Sequence, residues 1–131
     1  MIVADASAVV ELLLGGAKGR LVEAIFLAAE DRIQAPDVLD VEVAQALRRL
    51  VRHGSVTVGR AAASVAILRE APFTRHASRP LLPRVWELRE NLTAYDAAYV
   101  ALAEALECEL VTFDERIGGA PGHRARVRVP A

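Results

Sequence analysis

Met1-Ile2-Val3-Ala4-Asp5-Ala6-Ser7-Ala8-Val9-Val10-Glu11-Leu12-Leu13-Leu14-Gly15-Gly16 holds a whole strand-to-helix unit, and its reading decides the fold. Met1–Ala4 is a short apolar run ending at Asp5 and predicts a buried strand. Ser7 is placed to cap a helix over Ala8–Leu14, which Gly15-Gly16 stops. Working outward, Leu21, Ala24, Ile25 and Ala28 recur at helical spacing within Arg20–Glu30. Arg32–Ala35 predicts a second strand, and Pro36 suits the first turn of a helix running to His53 and Gly54. Leu39, Val43, Ala46, Leu47 and Leu50 form the apolar stripe of that helix. Further helices are predicted over Thr57–Glu70, Arg84–Glu90 and Ala94–Leu106, with Phe73–Pro83 irregular between them. Glu109–Phe113 predicts a strand ending at Asp114, Gly118–Gly122 a loop, and Arg124–Val129 alternates as a strand does. Strands separated by helices imply an α/β fold with a mainly parallel sheet. In open sheets of that kind, sites form beyond the carboxyl ends of the strands. Asp5 and Asp114 both fall there.

The chain has 131 residues, 53% hydrophobic and 25% charged, the balance of one globular domain that needs no staple. No apolar stretch approaches the ~20 residues of a membrane span. No basic region precedes an apolar one at the N-terminus, so no signal peptide is expected. Cys108 has no cysteine partner and sits in an apolar segment, which predicts core packing and a cytoplasmic setting. The net charge of −1 does not by itself announce a nucleic-acid binder, although fifteen of the sixteen Lys and Arg residues are Arg. Arginine suits bidentate phosphate contact, and a biased coding sequence accounts for the count equally well.

Four acids fall on separate elements. Asp5 and Asp114 end strands, where a carboxylate reaches the rim of a sheet or simply starts a turn. Glu42 lies about 60° from Leu39 around its helix, at the edge of the apolar stripe. A glutamate there is solvated, paired with Arg49 or Arg52, or bound to something else. Asp96 follows Thr93-Ala94-Tyr95 in the first turn of a helix, where it complements the dipole and can also point into a cleft. Glu115 beside Asp114 suits solvent better. Ser7 and Thr112, each two residues from an acid, are placed to orient a carboxylate or a metal-bound water. Hard cations such as Mg²⁺ and Mn²⁺ take a few carboxylates from separate elements and keep several waters. Such a site can polarise a phosphodiester and activate water.

With these residues assembled, the chain resembles the toxin component of bacterial VapBC toxin–antitoxin pairs, a branch of the PIN-domain family. The likeness is carried by Val3-Ala4-Asp5-Ala6-Ser7-Ala8 and by Pro36-Asp37-Val38-Leu39-Asp40-Val41-Glu42-Val43. It continues in Leu88-Arg89-Glu90-Asn91-Leu92-Thr93-Ala94-Tyr95-Asp96-Ala97-Ala98-Tyr99-Val100-Ala101-Leu102-Ala103 and closes with Leu110-Val111-Thr112-Phe113-Asp114. The resemblance implies a three-layer α/β/α sandwich with a mainly parallel sheet, a single PIN-like domain over 1–131. It also implies an endoribonuclease that uses Mg²⁺ or Mn²⁺. The family's acidic residues correspond to Asp5, Glu42, Asp96 and Asp114, which would serve as both catalytic and metal-binding groups, supported by Ser7 and Thr112. RNA as substrate, a cognate antitoxin, a homodimer and no membrane association follow from the same likeness.

Other readings are weaker. An aspartyl-phosphate phosphohydrolase wants a second acid two residues after the first, where this chain has Ser7. A dinucleotide-binding domain wants a glycine-rich turn after its first strand, and Asp5-Ala6-Ser7-Ala8 has none. A catalytically silent PIN-like module acting through protein partners is the alternative that remains. Helices 56–70 and 84–90, with Val65, Leu68, Phe73 and Trp86, are candidate apolar contacts for a partner, although core packing is the expectation for Trp86 taken singly. Arg124, Arg126 and Arg128 share one face of the last predicted strand, for RNA contact or for protection of a sheet edge.

Overall fold

Ile2–Ala4 forms the central strand β1, with all three residues buried. The computed structural model describes residues 1–30 and 32–131 of the chain. Around β1 the sheet adds β2 (Ile33–Pro36), β3 (Thr74–His76), β4 (Glu109–Val111) and β5 (Val127–Arg128), in the order β3-β2-β1-β4-β5. Every pairing is parallel, with Ile2 opposite both Ile33 and Glu109. A parallel strand covered on both faces has no wet side, which is why β1 is an apolar run without alternation and β4, after Glu109, buries both Leu110 and Val111.

The helices are α1 (Ala6–Leu14), α2 (Ala17–Ala28), α3 (Leu39–Arg52), α4 (Val58–Glu70), α5 (Leu82–Glu87), α6 (Ala94–Leu106) and α7 (Glu115–Gly119). Strands are added outward from β1 to β3 in one direction, and then on the other side through β4 to β5. Right-handed crossovers running in opposite directions put their helices on opposite faces, giving the three layers expected. Helix α6 packs on β1, β2 and β4, while α1 packs on α2 and α3, and α3 on α4. The run Ala97–Ala103 is buried without a break, as a helix laid across a sheet requires. The direction changes between β1 and β4, so the carboxyl ends of these two strands border the switch-point crevice where α/β sheets bind ligands.

Small residues set two of the junctions. Gly15 ends α1 in the left-handed region at φ 73°. Gly19 brings α2 against α1 so closely that a Cβ would lie 2.4 Å from the Glu11 carbonyl oxygen. Leu39, Val43 and Leu47 of the predicted α3 stripe are buried, with Ala46 and Leu50 half-buried beside them. Cys108 is buried among apolar neighbours, as expected.

Several expectations are corrected. Asp5, rather than Ser7, is the N-cap of α1. Pro36 closes β2 instead of opening a helix, and α3 begins at Leu39. Within the segment expected to be irregular, Thr74–His76 is the edge strand β3. Its side chains hold it in place: Arg75 forks onto Asp40 and also donates to the Leu68 and Ala71 carbonyls, and His76 pairs with Gln34 at 2.7 Å. The last strand shortens to Val127–Arg128, and α7 precedes it. Trp86 is no core residue: it is 68% exposed, with the Arg89 guanidinium 4.8 Å above its ring. No helix among the described residues is long and apolar enough to cross a membrane.

Candidate active site

Each of the four acids sits at the start of a helix. Asp5 caps α1 and Asp114 caps α7, while Asp96 and Glu42 lie in the first turns of α6 and α3. The positive ends of four helix dipoles therefore face one region, which partly offsets the repulsion of carboxylates brought together. That region is a cleft of about 540 Å³ at the switch point, with Asp5, Ser7, Glu42, Asp96 and Asp114 all in its walls.

Asp5 is 6% exposed and held by an exact set of donors on one oxygen. Its Oδ2 accepts from the Ser7 hydroxyl at 2.6 Å, from the Thr112 hydroxyl at 2.8 Å and from the Ser7 amide at 3.3 Å. Ser7 Oγ in turn accepts from the Phe113 amide, and Thr112 Oγ1 from the Asp114 amide. The two hydroxyls thus lock the carboxyl end of β1 to that of β4 and fix the orientation of Asp5, leaving Oδ1 outside this network. Thr112 is fully buried beneath the cleft, so its role is to orient the carboxylate rather than to meet a ligand.

Glu42 is the most perturbed acid. Burial pushes its carboxyl up to about 7; the Tyr99 hydroxyl opposes this, and the charges of Asp5 and Asp96 reinforce it. Tyr99 lies beside Glu42, yet no hydrogen bond of ordinary geometry joins them, and Glu42 Oε1 and the Tyr99 hydroxyl are both buried without a partner among the described residues. An unpaired buried acceptor costs about 1–3 kcal/mol. No ion pair joins Glu42 to Arg49 or Arg52 among the described residues. The Asp96 carboxyl is also raised, first by burial and then by Asp5 and Asp114, with Thr93 and Arg116 acting against the shift. Asp114 is the opposite case: its hydrogen bonds from Arg116 hold it below the usual carboxylate range.

The residues sequence reasoning missed are Tyr99 and Arg116. Tyr99 stands three residues after Asp96, on the same face of α6, and that spacing was the available signal. Arg116 forks onto Asp114 through Nε at 3.0 Å and a terminal nitrogen at 2.9 Å. Arg49 and His53 of α3 and its C-cap line the far rim of the cleft. Glu115 is exposed, as expected.

The acids flank an open cleft rather than close a cage: among the described residues, no three His, Cys, Asp or Glu side chains group tightly enough to hold an ion alone. This suits a hard cation that keeps much of its water and takes only one or two carboxylates directly. The unpartnered Glu42 Oε1 and the mutual repulsion felt by Asp96 and Glu42 are what a cation would relieve, so the donor set fits such an ion.

Fold and site together define a class. The chain matches the PIN domain family over residues 2–121 and belongs to it. It is 42% identical over 117 residues to Ribonuclease VapC9 of Mycobacterium tuberculosis, covering 89% of this chain and 88% of that protein. Among solved structures, PAE2754 from Pyrobaculum aerophilum superposes with a TM-score of 0.73 at 23% identity, over 96% of this chain and 81% of that one. A toxin–antitoxin complex from Klebsiella pneumoniae gives a TM-score of 0.65 at 21% identity, over 100% of this chain and 98% of that one.

Proposed function

We propose that the chain is a divalent-cation-dependent endoribonuclease, the toxin component of a toxin–antitoxin pair, with RNA as its substrate. The observation that carries this reading is the convergence of Asp5, Glu42, Asp96 and Asp114 on one switch-point cleft, with Glu42 half-buried, its Oε1 unpartnered and its carboxyl raised to about 7. The ribonuclease name of a relative 42% identical over most of both chains points the same way. The PIN family to which the chain belongs supplies the divalent-cation dependence; Mg²⁺ or Mn²⁺ is the finer assignment, argued from all-oxygen donors. A silent binding module gives no reason to keep a half-buried carboxylate with one oxygen unpaired and crowded by two others.

Asp5, Glu42 and Asp96 would hold the cation, with Asp114 as a fourth carboxylate. Bound there, the ion would supply Lewis-acid polarisation of the phosphodiester and lower the pKa of a water. The chain's own groups do the rest. Ser7 and Thr112 keep Asp5 in one orientation through Oδ2. Glu42, with its carboxyl raised to about 7, is about half protonated near neutrality, and a cation held beside it would favour its charged form. Arg49 at the rim, beside His53, gives the RNA backbone a positive contact next to an otherwise repulsive acidic floor.

An antitoxin has a surface of the right chemistry. A groove of about 700 Å³ between α1, α2 and α4 is lined by Leu12, Phe26, Leu27, Ile67, Leu68 and Phe73 among others. It uses Leu68 and Phe73 of the contacts expected from sequence, whereas Trp86 belongs to a different face. We assign this groove to an apolar segment of the antitoxin, and pairing of two toxin copies remains part of the proposal. Asp96→Asn decides the reading of the site: it should lose at least a hundredfold in RNA cleavage while keeping the wild-type circular dichroism spectrum, a loss of the size that follows removal of a charge-stabilising group. Cleavage at the wild-type rate would overturn the assignment.

A further inference from the structure

Arg116 is 90% exposed at its side chain, and everything it grips is Asp114. Both Asp114 oxygens are taken: Oδ1 by the Arg116 amide and Nε, each at 3.0 Å, and Oδ2 by a terminal guanidinium nitrogen at 2.9 Å. The same guanidinium, with Asn91, Thr93, Asp96 and Asp114, lines a second hollow of about 210 Å³ that shares Asp96 and Asp114 with the acidic cleft. Three of the four acids of the proposed metal site are free of any cationic partner among the described residues; the fourth is clamped by a cation belonging to the chain itself.

We propose that Arg116 is a latch on the metal site: it occupies Asp114 until a divalent cation displaces it, so it lowers the cation affinity of the complete four-acid site. The inference rests on the reading of the four acids as a metal site and goes beyond it by assigning Arg116 a role. A planar fork takes one lone pair on each oxygen of a carboxylate, and the Arg116 amide takes the second on Oδ1, so only one position, on Oδ2, stays open to a cation. A cation that takes Oδ1, or both oxygens of Asp114, must therefore break the fork, while one held by Asp5, Glu42 and Asp96 alone need not. An exposed ion pair is weak enough to yield, so the latch opens without disturbing the fold. The freed guanidinium then stands at the mouth of the cleft as a phosphate ligand.

Mn²⁺ binding to the purified protein, read by calorimetry and by the Mn²⁺ resonance signal, tests this without any cleavage assay. Arg116→Gln should bind Mn²⁺ roughly two- to fivefold more tightly than wild type, the yield of an exposed pair. Arg116→Lys, which keeps the charge but loses the fork, should fall between them. In an Asp114→Asn background, Arg116→Gln should change nothing further. Unchanged or weaker binding by Arg116→Gln overturns the latch. Equal tightening in the Asp114→Asn background also overturns it, because the effect would then be the general field of a positive charge. Failure of the metal-site reading looks different: wild type would bind no Mn²⁺, or Asp96→Asn would bind it as well as wild type.

Discussion

At the scale of single residues, the four acids were legible because each breaks a local pattern: two end apolar strands, one interrupts an apolar stripe and one precedes an unbroken apolar helix. What the sequence could not reveal is how differently they are treated once folded. Asp5 is satisfied by two hydroxyls, Asp114 by an arginine and Glu42 Oε1 by nothing among the described residues. Spacing along a chain carries no information about which partners fill the space opposite, and Tyr99 meets Glu42 only because α6 and α3 cross the same sheet end. A pH dependence follows from Glu42. Its folded pKa, about 7, lies above the ordinary value of 4.5. The folded state therefore holds a proton that the unfolded chain releases between those limits, and the metal-free protein loses stability as pH rises through that window. With the carboxyl only half buried, the loss should be on the order of 1 kcal/mol. Urea melts in chelator at a series of pH values should show a decline between about pH 4.5 and 7 that Glu42→Gln removes, leaving the shallower contribution of Asp96. A decline of full size in Glu42→Gln would mean another group is responsible.

Elements with strong periodicity were readable, and those defined by partners were not. The α3 stripe predicted its buried face almost residue by residue, because burial of one helix face leaves a 3.6-residue signature. Strand β3 left none. Thr74-Arg75-His76 is polar, and it is a strand because Arg75 is anchored on Asp40 and its backbone pairs with β2. Helix α7 is five residues long and begins only because Asp114 caps it. The end of the chain offers a test at this scale. Arg124, Arg126 and Arg128 are all exposed, but only Arg128 lies in the edge strand β5, which is shorter than their alternation predicted. Arg124 reaches the buried Glu104 at 3.5 Å, and Arg126 donates to the Glu107 carbonyl. Two of the three are thus tied back to the C-terminal end of α6, which favours edge protection over RNA contact. Replacing all three by Ser should leave the salt dependence of RNA binding unchanged and increase aggregation on concentration, measured by light scattering. A salt slope reduced by two or three phosphate contacts would reverse that assignment.

For the whole molecule, the sheet order is what makes the site: the change of direction between β1 and β4 opens the crevice into which four helices direct their first turns. The fold class was legible from alternating strand and helix patterns, yet the order was not, since nothing in the sequence states that β3 lies outside β2. A fold that gathers like charges stores repulsion in its metal-free form, and the store is measurable in global stability. Asp5→Asn does not isolate it, because the amide would also disturb the hydroxyl network on Oδ2. Glu42→Gln does, for Oε1 has no hydrogen bond to lose. Near pH 8 in chelator, above the Glu42 pKa of about 7, wild type carries a half-buried carboxylate charge crowded by Asp5 and Asp96, and Glu42→Gln carries none. The variant should then melt higher, by about 3 °C for each kcal/mol relieved in a domain of this size. Added Mg²⁺ reverses the order. At ten times its Kd, a cation bound only to the folded state adds about 1.4 kcal/mol, or about 4 °C. Wild type should gain all of this and the variant much less, since it has lost one of the carboxylates that hold the ion. Paired melting curves, with chelator and with Mg²⁺, carry both halves of the argument. Equal Mg²⁺ shifts in the two proteins would remove Glu42 from the metal site, and a variant melting no higher in chelator would show that its buried charge is relieved within the protein itself.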